Sequence, residues 1–294
     1  MSKSRIEAAK ADIFRYFAQL PTRVHRISEI ASYLEQERDK WRLPASLTTR
    51  AFMRFLTEEG ELSEIIFPFP APYKREVRFL WGEVSLYEVA QALKLNSYFS
   101  HYTAVKFHGL TEQLPKTVYV NAEQPNASVM TAPLTQKAID IAFRRPARTS
   151  GNVADTRDFR VCIISGKNTG NLGVMEKAVV AGAGSLRFTN LERTLIDIAV
   201  RPVYAGGVFE VRKAYQLAKE KLSVERLVAM LKKLAYTYPY HQAVGYYLER
   251  AGCEPAQVDV LRKLPMEFDF YLTHQMSQMD HVKEWRLFVP KGFQ

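Results

Sequence analysis

A mixed α+β protein in two parts is predicted: an N-terminal winged helix-turn-helix over residues 1–92, then a larger mixed α+β domain over residues 93–294. Three observations predict it. Apolar residues recur at helical spacing in three successive runs before Gly60, and two β-prone runs follow around a proline-rich turn. Beyond them, short strand-like runs mix with long amphipathic helices. A chain of 294 residues that is 47% hydrophobic has enough apolar material for two packed units.

Ile6, Ile13, Phe14, Phe17 and Leu20 mark the first helix, which stops at Pro21. The second covers residues 27–34, with Ser28 as its cap and Ile27, Ile30, Ala31 and Leu34 as the buried stripe. The third runs from a capping Ser46 through Phe52, Phe55 and Leu56 to Gly60, a C-terminal stop. Residues 65–67 and 77–81 then read as a β-hairpin joined by the proline-rich turn 68–75. A helix over 85–95 closes this module. In the second part strands are predicted at 117–120, 138–143, 159–164 and 185–188, and helices at 191–199, 208–218, 224–234 and 241–251. Strands at 268–272 and 285–289 end the chain.

The net charge of +10 and pI near 9.5 favour an anionic partner, and nucleic acid, an acidic protein and a membrane surface all qualify. The first 90 residues carry only about +1 of this excess, so charge alone does not locate the binding face. No stretch near 18 residues is free of charge and apolar throughout, and the opening Met1 to Arg5 leads into an amphipathic run. The cytoplasm is the expected location, with no membrane contact. Cys162 and Cys253 are isolated from each other and from any histidine pair, and the six histidines show no metal spacing. Neither a zinc site, a disulfide framework nor a cofactor is expected.

In a helix-turn-helix the second helix of the pair enters the major groove, so its outward face must be polar or basic. With Phe52, Phe55 and Leu56 turned inward, Thr49, Arg50, Met53 and Arg54 take the opposite surface, and Arg50 and Arg54 are neighbours at i, i+4. Arginine suits the paired acceptors of a guanine edge, and Ser46 and Thr48 near the helix start can donate to phosphate. Lys40 and Arg42 are placed to meet the backbone, while Lys74, Arg75 and Arg78 sit on the wing within reach of a phosphate or the minor groove. The same residues also read as solvated charges on an ordinary three-helix domain. Phe67, Phe69 and Tyr73 read either as a stacking platform for single strands or as packing caps.

From Ser97 the chain runs through a small-residue pair at a helix start to His108-Gly109-Leu110-Thr111, then Pro115 and a strand. This order resembles a segment of the AbiEi antitoxins. A second, more specific match is Leu191-Glu192-Arg193-Thr194-Leu195-Ile196-Asp197, continued by Arg201-Pro202 and Gly206-Gly207. The run 241–252 is similar to the family's later helix, with Ala243-Val244-Gly245 where an arginine-leucine-glycine pattern is common. The resemblance implies a type IV toxin-antitoxin system. In it the protein counters a nucleotidyltransferase toxin without binding it directly, and represses its own operon by binding inverted repeats in duplex DNA. The second domain would then be the α+β antitoxin domain, with His108, Gly109, Glu192, Arg193, Thr194, Asp197 and Arg201 as its motif residues. The protein would be a monomer in solution or two copies on DNA. The long proline-rich wing departs from the family's shorter hairpin.

These motifs also have a physical reading. Glu192 stands at the positive end of a helix dipole, and Arg193 can pair with Asp197 one turn on. Arg201-Pro202 ends that helix, and His108-Gly109 reads as a helix end with Gly109 as its left-handed cap. No enzyme is expected. The run 165–173 superficially suggests a phosphate cradle but lacks the GxxxxGK[ST] order, and reads as a flexible loop. Two alternatives remain. One is a metal-dependent nuclease built on Asp197, Glu210 and Lys213. The other is a scaffold that inhibits its partner by direct contact through Lys213, Lys219, Lys221, Lys232 and Lys233.

Overall fold

The structure, a computed structural model, describes residues 5–125, 133–157, 159–178, 180 and 184–293. Helices α1 (Arg5–Ala8) and α2 (Lys10–Gln19) lead in, and α2 ends at an extended Leu20, as the residue before a proline must. Strand β1 (Val24–His25), helix α3 (Ile27–Glu37), helix α4 (Thr49–Glu58) and the strands β2 (Leu62–Phe67) and β3 (Glu76–Trp81) complete the first unit. Its strands form an antiparallel sheet in the order β1-β3-β2. Ile13 and Phe17 of α2, Ile30 and Leu34 of α3, and Phe52 and Leu56 of α4 meet in one core with Trp41 and Trp81.

Two helix starts differ from the sequence reading. Helix α3 begins at Ile27, because Glu29 reaches back to accept from the Arg26 backbone N–H at 2.6 Å. Ser28 therefore lies inside the helix and Ile27, 58% exposed, is outside the buried stripe. Helix α4 is capped by Thr48, whose Oγ1 accepts from Ala51 N at 3.2 Å, so Ser46 stands in the preceding loop. Met53 leans on the core and does not share the outer face of Arg50 and Arg54.

Helix α5 (Leu86–Gln91), capped by Ser85 and Glu88, is shorter than the 85–95 expected. After it come β4 (Tyr98–Phe99), α6 (His101–Phe107), β5 (Thr117–Glu123) and α7 (Gln136–Arg144). The 138–143 run is thus helix, not strand: Thr135 caps it by accepting from Ala138 N, and Ile139 and Phe143, one turn apart, are its buried pair. Strands β6 (Val153–Asp155), β7 (Arg160–Gly166), β8 (Val174–Lys177) and β9 (Leu186–Thr189) join β4 and β5 in a six-stranded sheet ordered β6-β7-β5-β4-β9-β8. The pairs β5/β7 and β4/β9 are parallel and the rest antiparallel.

Five helices follow: α8 (Leu191–Val200), α9 (Val208–Ala218), α10 (Val224–Leu234), α11 (Tyr240–Arg250) and α12 (Pro255–Arg262), with a 3-10 turn at Pro202–Tyr204. A sheet of β10 (Phe270–Tyr271), β11 (Met279–Val282) and β12 (Leu287–Pro290), ordered β10-β12-β11, closes the chain. Trp285 belongs to a 3-10 turn and not to a strand. Its ring is fully buried over Gly245, where any Cβ would collide with it, and its Nε1 donates to Glu249 at 2.7 Å.

The six-stranded sheet has two unlike faces. Val118, Val120, Val161 and Ile163 line one, in a cluster shared with Phe67, Phe69, Val89 and Leu93. The apolar packing is thus continuous across residues 92 and 93. Tyr119, Asn121 and Glu123 of β5 and Cys162 and Ile164 of β7 take the other face. Among the described residues no helix is long and apolar enough to cross a membrane.

Candidate functional site

Helix α4 presents two sides. Phe52, Phe55 and Leu56 are buried, and Arg50 and Arg54, one turn apart, are exposed. Thr48 and Thr49 open the helix, and Ser46 is exposed just before it. Lys40 is exposed and pairs with Glu37 at 2.9 Å, while Arg42 turns outward at φ +52 between the buried Trp41 and Leu43. Lys74 and Arg75 lie exposed in the turn between β2 and β3.

Arg78 does not belong with them. It is 2% exposed, donates to the carbonyl oxygens of Ala92 (3.2 Å), Leu93 (3.1 Å) and Val77 (2.8 Å), and pairs with Glu76 at 2.9 Å. The wing arginine is a fastener between the hairpin and the segment after α5. Phe67 and Phe69 are also buried and stack on each other at 6.3 Å, which removes them from any stacking platform, while Tyr73 is exposed.

In the second unit the two motif segments meet at one point. His108 ends α6, followed by Gly109 at φ +67, and its Nε2 lies 2.8 Å from the carbonyl oxygen of Thr189 at the end of β9. Asn190 then caps α8 by accepting from Arg193 N at 2.9 Å, and Thr194 Oγ1 donates to Thr189 O at 3.0 Å. Glu192 accepts from Arg226 Nε at 3.0 Å, which pins α10 to the start of α8. Burial pulls the His108 imidazole below its ordinary value.

Arg193 and Asp197 form a buried ion pair at 2.7 Å, and Arg193 Nη1 also donates to Leu172 O at 2.7 Å and Thr169 Oγ1 at 3.2 Å. Burial pushes the Asp197 carboxyl up even against the guanidinium beside it. The cradle-like run 165–173 holds a carboxylate of the chain itself: Glu123 accepts from Thr169 N at 2.9 Å, Asn171 N at 3.2 Å and Tyr98 Oη at 3.0 Å. Burial would raise the Glu123 carboxyl, but these donors hold it below its ordinary value.

Between the polar face of the sheet and α8 lies a cavity of about 280 Å³ lined by His101, Asn121, Arg193, Asp197, Arg201 and Tyr236, among others. A second, of about 640 Å³, shares Arg201, Tyr238 and Tyr240 with it and adds Arg145 and Arg148. His101 begins α6 at φ +51, a backbone conformation that costs a non-glycine residue about 1–3 kcal/mol and that persists only where its surroundings impose it. Its Nδ1 is engaged by Ser100 Oγ at 2.8 Å, and burial, with Arg201 and Arg193 nearby, pushes its imidazole down to about 3. Burial raises the Tyr240 hydroxyl to about 12.

No family model and no curated protein matches this chain. Its fold is similar to that of the RV2827C protein from Mycobacterium tuberculosis. That crystal structure aligns at a TM-score of 0.59 over 96% of this chain and 91% of that one, with 17% sequence identity. At this identity the likeness establishes the mixed α+β architecture and nothing about activity.

The residues weighed for a nuclease do not converge. Asp197 is taken by Arg193, Glu210 accepts from Tyr102 at 3.3 Å and Gln113 at 3.4 Å, and Lys213 lies 3.7 Å from Glu112. Among the described residues no group of three or more histidine, cysteine or acidic side chains is gathered to hold a metal ion. Lys219, Lys221, Lys232 and Lys233 are exposed. The tyrosines of the cleft, Asn121, His101 and Arg148 were not singled out from sequence. A usable signal was present in β5, where Tyr119, Asn121 and Glu123 alternate with Val118 and Val120, giving a strand whose second face is polar although it lies inside the sheet, between β7 and β4.

Proposed function

We infer that this protein is a DNA-binding autorepressor that also serves as the antitoxin of a type IV toxin-antitoxin pair of the AbiEi kind, acting in the cytoplasm. The observation that carries the reading is the two-sided helix α4. It is the second of a helix pair, its inner face is buried in the first unit's core, and its outer face carries Arg50 and Arg54 one turn apart. The order α2, β1, α3, α4, β2, β3, with β3 between the other two strands, supports reading the unit as a winged helix-turn-helix. In such a unit α4 enters the major groove and Lys74 and Arg75 reach the adjacent backbone.

The antitoxin half rests on the resemblance of segments 97–120 and 191–207, and is supported by their meeting at Thr189 and Asn190. The nucleotidyltransferase toxin would be countered without a stable complex, and inverted repeats in the operator would seat two copies of the chain.

A salt-titrated mobility-shift assay on the chain's own upstream promoter against a scrambled duplex tests the repressor half. Preference for the promoter at physiological salt is the expected result. Equal and steeply salt-dependent binding to both duplexes would reduce the interaction to charge alone. Co-expression with the neighbouring nucleotidyltransferase tests the antitoxin half: growth should be restored without co-purification of the two proteins.

A further inference from the structure

The two cavities beside α8 form a cleft to which the reading above gives no role. Three features point to its occupant. The first is charge: among the described lining residues Lys167, Arg193, Arg201, Arg145 and Arg148 are cationic and Asp197 alone is acidic. The second is aromatic surface. Tyr236, Tyr238 and Tyr240 wall the cleft, with ring centroids 5.4 Å apart for Tyr236 and Tyr240 and 6.1 Å for Tyr238 and Tyr240. The third is buried polarity. Asn121, only 4% exposed, lines the inner cavity beside His101, which is held there in an unfavourable backbone conformation.

Guanidinium groups bind phosphate oxygens through paired donors, tyrosine faces stack on bases, and a side-chain amide reads a base edge. A peptide carboxylate would satisfy the arginines but would make no use of the ring surface that the tyrosines turn to the cleft. A duplex is too wide for cavities of this size: the outer one, of about 640 Å³, lies within the range of small-ligand sites, about 300–1,000 Å³, and the inner one, of about 280 Å³, just below it. We propose that the cleft binds a nucleoside phosphate, with the phosphate on Arg201 and Arg148 and the base among Tyr236, Tyr238 and Tyr240. The same chemistry is offered by a free nucleotide and by the terminal nucleotide of a single RNA strand. The site does not depend on the DNA-binding reading, since it lies on other elements.

Equilibrium dialysis of the full chain against the ribonucleoside triphosphates, the 5′-monophosphates and a short 5′-phosphorylated single-stranded RNA tests this. Saturable binding is expected for at least one probe. Arg201→Gln, at an exposed position, should weaken it about tenfold or more by removing a charged donor, and Tyr238→Ala should weaken it as well. Lys263→Gln, at an exposed position outside the cleft, should leave it unchanged. Binding of monophosphates or triphosphates identifies a free nucleotide as the ligand, and binding of the RNA alone identifies a strand terminus. Absence of saturable binding by every probe at millimolar concentration overturns the proposal. Binding that survives both cleft variants, or falls equally with Lys263→Gln, overturns it too.

Discussion

Arg193 Nε donates to Asp197 Oδ1 at 2.7 Å, and both side chains are about 6% exposed. A charge pair this deep loses most of its Coulomb gain to desolvation, so breaking it from one side is far worse than removing it whole. Arg193→Ala and Asp197→Ala should each cost about 3–5 kcal/mol, because each strands a buried charge. The double replacement Arg193→Met with Asp197→Leu should cost less than either. Urea unfolding of the three variants checks this, and additive losses would refute the account.

His101 ties stability to pH. Its imidazole titrates at 6.5 in the unfolded chain but only at about 3 in the folded one, chiefly because burial disfavours the charged form. Below 6.5 the unfolded chain therefore takes up a proton that the folded chain refuses. Stability is full above pH 6.5 and falls with decreasing pH by about 1.4 kcal/mol per pH unit until the folded value is reached. Burial also pulls His25, His108 and His241 down, which steepens the same slope. His101→Asn keeps a residue that tolerates positive φ and removes the titration. Between pH 7 and pH 5 it should lose about 2 kcal/mol less than the unmodified chain.

Most helices were legible because apolar residues recur three to four apart within one segment: Ile13 and Phe17 in α2, Phe52, Phe55 and Leu56 in α4. The segment 138–143 reads as a strand because its larger apolar residues, Ile139, Ile141 and Phe143, fall at every second position. The decisive facts were the cap at Thr135 and the burial of Ile139 with Phe143 while Ile141 is exposed. What sequence could not show were contacts between distant segments. The cleft brings residues 101, 121, 193, 201 and 236–240 together, and no periodicity within any one of those runs announces the others.

Arg78 is the clearest such case, since as a basic residue in a hairpin it reads as a wing contact to DNA. It is instead bonded to the carbonyl oxygens of Ala92 and Leu93, 14 and 15 residues further along the chain. Arg78→Ala should destabilise the fold by about 3 kcal/mol, through lost charged hydrogen bonds and unpaired buried carbonyls. The molecules that remain folded should keep wild-type promoter affinity. A thermal melt beside a mobility shift separates the two effects, and loss of affinity without loss of stability would return Arg78 to the DNA face.

Arg50 and Lys74 should fail differently if α4 lies in the major groove and the wing on the backbone. Both are exposed, so neither Arg50→Ala nor Lys74→Ala should shift the unfolding midpoint appreciably. A guanidinium bonded to a base edge discriminates among sequences, so losing Arg50 should cost about 1–3 kcal/mol on the promoter and little on a scrambled duplex. An ammonium on phosphate displaces a counterion whatever the sequence. Losing Lys74 should weaken both duplexes alike and flatten the plot of log affinity against log salt by about 0.9. Parallel losses for the two variants on both duplexes would mean that α4 reads no bases, leaving its arginines as solvated charges on a helical face.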